Sequence, residues 1–332
     1  LALRLVPGYP RARMTKARGA LVARNYDTAA TLAEGLLDSP ELRPAALEVV
    51  GRVALQRRQW SQAVAHFQAL AHELPQSALG PYWLGVTRFR EGDTGAAREQ
   101  LDLAHARNPS PRITAALLDV LIRAADWDAA MRLAQPYASA ESALKSGLGH
   151  AWLGGVRRAQ GDLEGAVDAY RAAAKAQPER VGYTLAAADL LIDLERFEQA
   201  AGLLDQASKK APQNRLLQFK RAYLAHLRGD AAAAEQGYRS LLQREPDWAL
   251  PLLNLSELVA ADAARGAEAV EMAERVARLT PQWSTAHWNL AQRASEAEKY
   301  AMAREAALRV IELDPQHVGA RAMLEKDDAR RG

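Results

Sequence analysis

Residues 151–178 read AWLGGVRRAQGDLEGAVDAYRAAAKAQP, and the spacing inside this stretch decides the fold. Gly154 lies twelve residues before Ala166, Tyr170 four after it, and Pro178 twelve after it, with Gly161 between the two halves. Small and large apolar residues recur at helical intervals on either side of Gly161, which places two helices around a tight turn. Proline then ends the pair, because it has no N–H to give and restricts the residue before it to extended backbone.

Working outward, the alanine recurs as Ala29, Ala63, Ala97, Ala130, Ala166, Ala200, Ala234, Ala269 and Ala303, at successive differences of 34, 34, 33, 36, 34, 34, 35 and 34. Small residues keep step twelve positions earlier at Ala17, Gly51, Gly85, Gly154, Ala188, Ala222 and Ala291, where bulk would wedge two helices apart. Four residues after the alanine stand Phe67, Leu101, Tyr170, Leu204 and Tyr238, on the same helix face. Tyr26, Trp60, Trp127, Leu163, Phe197 and Tyr300 stand three before it, placed to plug the turn. Pro75, Pro109, Pro178, Pro212, Pro246, Pro281 and Pro315 close successive repeats, and Gly92, Gly161 and Gly229 mark turns within them. A period held at so many positions describes a stacked array in which each repeat buries its apolar face on the next.

These residues resemble the tetratricopeptide repeat family. The resemblance covers about Pro10 to Pro315 and implies an all-α, right-handed superhelical solenoid of about nine helix–turn–helix repeats. Their expected bounds are about 10–43, 44–77, 78–110, 111–146, 147–180, 181–214, 215–249, 250–283 and 284–315. Residues 316–332 form a capping helix and tail, with Val318, Ala322 and Leu324 on the covering face. Two repeats break the rule. The fourth has Leu118 in the small-residue slot, Pro136 near its end and Ser139 to Ser142 in place of a proline stop, which predicts a bend; the eighth has a lengthened turn over Ala260 to Gly266.

The resemblance also implies an inner groove lined by the first helix of each pair, with inward positions fifteen, eleven and eight residues before each alanine. In the third repeat these are Tyr82, Val86 and Phe89, and in the seventh Phe219, Tyr223 and His226. Aromatic groups on a concave surface offer contact area at low entropy cost, although the same rings also suit packing against the adjacent repeat. Arg18, Arg52 and Arg158 fall on the groove side and Arg90 and Arg123 one residue beyond it, against Asp119 and Asp189. A positive N-terminal half of the groove would attract an acidic partner segment or a C-terminal carboxylate. Members of the family with a carboxylate clamp or an asparagine ladder carry Asn on these helices. Here that residue is Asn254 and Asn289 in two repeats, but Trp83, Trp152, Ala186 and Lys220 in others.

No chemistry of another kind competes with the repeat. The chain has no cysteine, and His66, His72, His105, His150, His226, His287 and His317 show no metal-ligand spacing. A phosphate-binding loop, a nucleophile elbow and a dinucleotide fingerprint are all lacking from the sequence, so neither a cofactor nor a metal nor catalysis is expected. A net charge of +3 over 332 residues makes no case for nucleic acid. The basic stretch Leu1 to Arg24, with Arg4, Arg11, Arg13, Lys16, Arg18 and Arg24, suits a solvent-facing first helix or the flank of a membrane anchor that preceded it. The expected function is a protein-binding scaffold, with residue use that hints at a bacterial envelope or polysaccharide-export assembly. The alternatives are the substrate-recognition part of a larger glycosyltransferase or sulfotransferase, a peptide-sensing regulator, and a self-assembling homo-oligomer.

Overall fold

A computed structural model describes residues 9–331, and within them every regular element is a helix. Arg4 and the other residues before Tyr9 lie outside the described residues, as does Gly332. The helices fall into the expected pairs: α1 Pro10–Val22 with α2 Tyr26–Glu34, α3 Arg43–Gln56 with α4 Trp60–Glu73, and α5 Leu79–Glu91 with α6 Thr94–Arg107. Next come α7 Pro111–Arg123 with α8 Trp127–Ala138, α9 Ala143–Gln160 with α10 Leu163–Ala176, and α11 Val181–Asp193 with α12 Phe197–Lys210. The series ends with α13 Arg215–Leu227 and α14 Ala231–Arg244, α15 Ala249–Ala260 and α16 Gly266–Leu279, α17 Ser284–Glu296 and α18 Tyr300–Leu313, then α19 Val318–Arg331. No helix among the described residues is long and apolar enough to cross a membrane.

The period has a packing origin at each of its positions. All nine alanines are buried, the most exposed being Ala303 at 3%. A Cβ added to Gly51 would sit 2.5 Å from the Phe67 ring, and one added to Gly85 would sit 2.5 Å from Leu101 Cγ, so the small slot and the large residue of the partner helix are two sides of one contact. Phe67, Leu101, Leu204 and Tyr238 are fully or almost fully buried there, each stabilising the array by roughly 1.5–3 kcal/mol. The turn within a repeat passes through left-handed backbone five residues before the alanine, at Arg24, Arg58, Gly92, Ala125, Gly161, Glu195, Gly229 and Glu298. One residue later, Asn25, Asp93, Asp126, Asp162 and Asp230 accept a hydrogen bond from a backbone N–H of the second helix's first turn. Leu74, Asn108, Ala211, Glu245, Thr280 and Asp314, which precede the closing prolines, have left the helical region (φ −125° to −153°, ψ 62° to 98°), because proline disfavours helical backbone at the residue before it.

The chain separates into two compact bodies, Leu1–Gly165 and Ala166–Gly332. In the first, α1 touches α3, α5 touches α7 and α7 touches α9; in the second, α11 touches α13, α13 touches α15 and α15 touches α17. Successive second helices make no contact of comparable extent among the described residues. Within each body the first helices therefore form the closer layer, and the second helices stand apart with troughs between them.

The irregular repeats and the ends differ from expectation in detail. Leu118 is accommodated at 2% exposure, and Pro136 lies inside α8. The next helix closes on that end: a Cβ on Gly149 would come within 2.0 Å of Ala138 N, and the Tyr137 ring meets Trp152 edge-on at 4.7 Å. In the eighth repeat the extra residues form a 3-10 turn, Ala263–Arg265, which shifts the small slot to the buried Ser256. The turn-plugging residues are half-buried, and Tyr300 is 44% exposed, because they begin the second helix at the edge of the stack. The covering face of α19 is Ala320, Met323 and Leu324, while Val318 and Ala322 are exposed.

Candidate binding surface

The third and fourth repeats form a cleft of about 570 Å³ between α5 and α7, in the first body. Tyr82, Val86 and Phe89 enter it from α5 because spacings of four and three put them on one helical stripe, and Arg90 follows at the rim. α7 contributes Arg112, Asp119 and Arg123, with Ala115 and Ala116 low enough to leave the space open.

Its cations are held on rings. The Arg112 Nε donates to Tyr82 Oη at 2.9 Å, and its guanidinium lies 4.6 Å from the Tyr82 ring centre and 4.8 Å from that of Trp83. Arg52, paired with Glu48 at 3.4 Å, lies 5.0 Å from the Trp83 ring, and Phe67 stacks on that ring at 5.7 Å. Trp83 is thus a buried post in the third repeat between an arginine of the second and one of the fourth, a use of ring faces that favours guanidinium over ammonium. Arg123 covers Phe89 at 4.0 Å. Burial raises the Asp119 carboxyl above its usual range and nearby Arg123 pulls it back down. Three arginines face one carboxylate here, and none of Arg90, Arg112 and Arg123 has an acidic partner at salt-bridge distance among the described residues.

The seventh-repeat aromatics, in the second body, are engaged differently. Phe219 is 8% exposed and lies within 5.4 to 6.3 Å of Trp248, Tyr238 and Tyr223, so it packs in the seam to the next repeat. Tyr223 and His226 are half-buried, His226 lying 6.2 Å from the Tyr238 ring. Lys220 beside Tyr223 is paired with Asp189 at 2.5 Å, which leaves that patch without free charge. Arg18 and Arg158 are exposed on α1 and α9, away from the residues of the α5–α7 cleft. Asn254 and Asn289 are buried: Asn254 donates to Tyr238 Oη at 3.3 Å, and Asn289 accepts from Ser256 at 2.8 Å. Neither amide is presented for a ligand in this arrangement.

Arg112 was not singled out by the stripe, since it stands in the first turn of α7, eighteen residues before Ala130. Its signal was the offset to Tyr82. Residues 30 apart, one repeat less a helical turn, also meet at Arg107 and Ser77, Arg228 and Glu198, and Arg265 and Glu235.

Comparison with known proteins agrees with this architecture. Tetratricopeptide repeat profiles match residues 14–78 and 50–111, and another matches 157–223. A crystal structure of a tetratricopeptide repeat protein from Parabacteroides merdae aligns at 15% identity over 75% of this chain and 98% of its own, with a TM-score of 0.56. The C-terminal part of a TPR repeat-containing protein from Cytophaga hutchinsonii aligns at 13% identity over 82% of this chain and 98% of its own, with a TM-score of 0.42. YrrB, a TPR protein with an unusual peptide-binding site, aligns at 15% identity over 52% and 89%, with a TM-score of 0.41. No curated protein matches the chain.

Proposed function

The chain belongs to the tetratricopeptide repeat superfamily, and from that premise we propose that it is a non-catalytic scaffold that holds a segment of another protein in the α5–α7 cleft. Repeat solenoids of this kind are in general protein–protein interaction modules. One observation carries the choice of place: Val86 and Phe89 stand beside Arg90, Arg112 and Arg123 in a cleft with a single opposing carboxylate. Apolar area at the floor supplies contact energy, and unpaired guanidinium groups at the rim supply sign, which favours a partner segment with acidic side chains next to an apolar one. Tyr82 is committed to Arg112, so its role is to aim that guanidinium. An envelope or polysaccharide-export setting rests on residue use alone and adds nothing to the choice of surface.

The test is capture of partners from the native lysate by this chain and by a variant carrying Phe89→Ala, Arg90→Glu and Arg123→Glu, with helicity matched by circular dichroism. A partner lost by the variant, whose acidic segment then binds the unaltered chain directly, supports the cleft. Equal retention by both proteins moves the contact elsewhere.

A further inference from the structure

The troughs between second helices differ sharply in charge within the second body. Between α12 and α14 the trough is lined by Asp205, Arg221 and Arg228 among others, and these are consumed internally: Arg221 pairs with Asp205 at 2.9 Å and Arg228 with Glu198 at 2.8 Å. Between α16 and α18 the lining mixes Glu274, Arg278, Arg309 and Glu312, again paired along their own helices. One repeat before the α12–α14 trough, between α10 and α12, the corresponding trough has about 820 Å³ and carries Arg171, Lys175, Lys209 and Lys210 with no carboxylate in its lining. Arg171 spends a donor on Gln199 at 2.9 Å across the trough, and none of the three lysines has an acidic partner among the described residues.

A helix C-terminus favours a cation, which accounts for one lysine on each of α10 and α12. It does not account for two such ends converging on an open space with no counter-charge, at a cost in mutual repulsion. The floor is Ala174, Leu203 and Ala207 beside Gly202, where an added Cβ would meet nothing within 4 Å. We propose that this trough is a second binding site, taking an acidic peptide segment whose carboxylates meet the lysines while its backbone or small side chains lie on the alanine floor. Lysine recognises charge without demanding the planar fork of a phosphate, and no aromatic ring lines the trough to stack a base, so a peptide fits better than single-stranded nucleic acid. This site shares no residue with the α5–α7 cleft, and the proposal does not depend on it.

The probe is a fluorescein-labelled oligoglutamate peptide, with binding to the full chain read by anisotropy at low and at physiological salt. Three variants are compared: Lys175→Gln with Lys209→Gln and Lys210→Gln; Gly202→Phe, which fills the trough without altering charge; and Arg90→Gln with Arg123→Gln in the other cleft. The expected result is a loss of about ten-fold or more for the first two and a change within about two-fold for the third, with helicity unchanged. Loss only in the third would place the probe in the α5–α7 cleft and overturn the trough while leaving the scaffold reading intact. Loss with the lysine variant but not with Gly202→Phe would reduce the trough to unspecific surface charge, and no loss in any would remove it. A charge-matched oligothymidylate that bound more tightly with the same dependence on the lysines would overturn the peptide assignment.

Discussion

The guanidinium of Arg123 lies 4.0 Å from the centre of the Phe89 ring, one turn of α7 beyond Asp119. The contact joins two repeats at the mouth of the cleft, so it links local stability to the binding surface. Removing the ring exposes a cation with an acid below it and no cover. A double-mutant cycle of Phe89→Ala and Arg123→Gln on urea unfolding should show a coupling of about 0.5–1 kcal/mol. Additivity of the two losses would mean that the ring and the cation do not support each other.

Left-handed turn residues make a second prediction. Arg58 and Ala125 carry φ of 58° and 54° at the position that Gly92 occupies with φ 104°. A side chain there costs about 1–2 kcal/mol, part of which glycine gives back through a freer unfolded chain. Arg58→Gly and Ala125→Gly should each raise stability by about 0.5–1 kcal/mol, and Gly92→Ala should lower it by about 1 kcal/mol. Thermal unfolding followed at 222 nm reads the sign directly.

Two glycines inside helices, Gly149 and Gly202, predict opposite outcomes for the same substitution. A Cβ on Gly149 meets backbone, Ala138 N at 2.0 Å and Tyr137 C at 2.4 Å, which cannot yield as a side chain can. Gly149→Ala should therefore cost about 3 kcal/mol or more and loosen α9 from α8. Gly202, inside α12 with nothing within 4 Å, should gain about 0.5–1 kcal/mol as alanine from helix propensity alone. Equal effects at the two sites would contradict the packing described for the fourth and fifth repeats.

How much of this was legible in the sequence follows from what repeats and what does not. Ala29 through Ala303 could be read because nine copies of one packing demand sit at nearly one spacing, and all nine are buried. The stripe Tyr82, Val86, Phe89 could be read for the same reason, as helix geometry fixes which residues share a face. Whether a ring on that stripe meets solvent or the neighbouring repeat is set by the side chains of the next helix. Phe219 has Trp248 and Tyr238 against it, whereas Phe89 has the long, polar-tipped Arg123. Tyr238 and Trp248 stand 19 and 29 residues after Phe219, and the stripe alone does not say that they fold back on it. The basic trough was illegible for a related reason: Lys175 and Lys209 are one repeat apart, and only their neighbours' ion pairs reveal that these two have none.

Acid should act first on the lengthened turn of the eighth repeat. Arg265 in that turn pairs with Glu235 at 2.6 Å and Glu268 at 2.8 Å, and Arg239 joins Glu268 at 2.5 Å and Glu235 at 2.9 Å, closing a four-residue ring across α14 and α16. The hydrogen bonds from Arg265 hold the Glu235 carboxyl down at about 2, against an ordinary value of 4.5. A carboxyl whose folded value is depressed contributes fully above its unfolded value, and the contribution drains away as pH falls from 4.5 toward 2. With both partners at the surface the amount is about 1–2 kcal/mol after screening. Urea unfolding at pH 7, 4 and 3 should show a steeper loss in the native chain than in Glu235→Gln, which starts less stable and changes less. Added salt at pH 7 should narrow the gap between the two. Parallel pH profiles would mean that the turn is held by its Asp262 cap and its packing and not by the ring of charges.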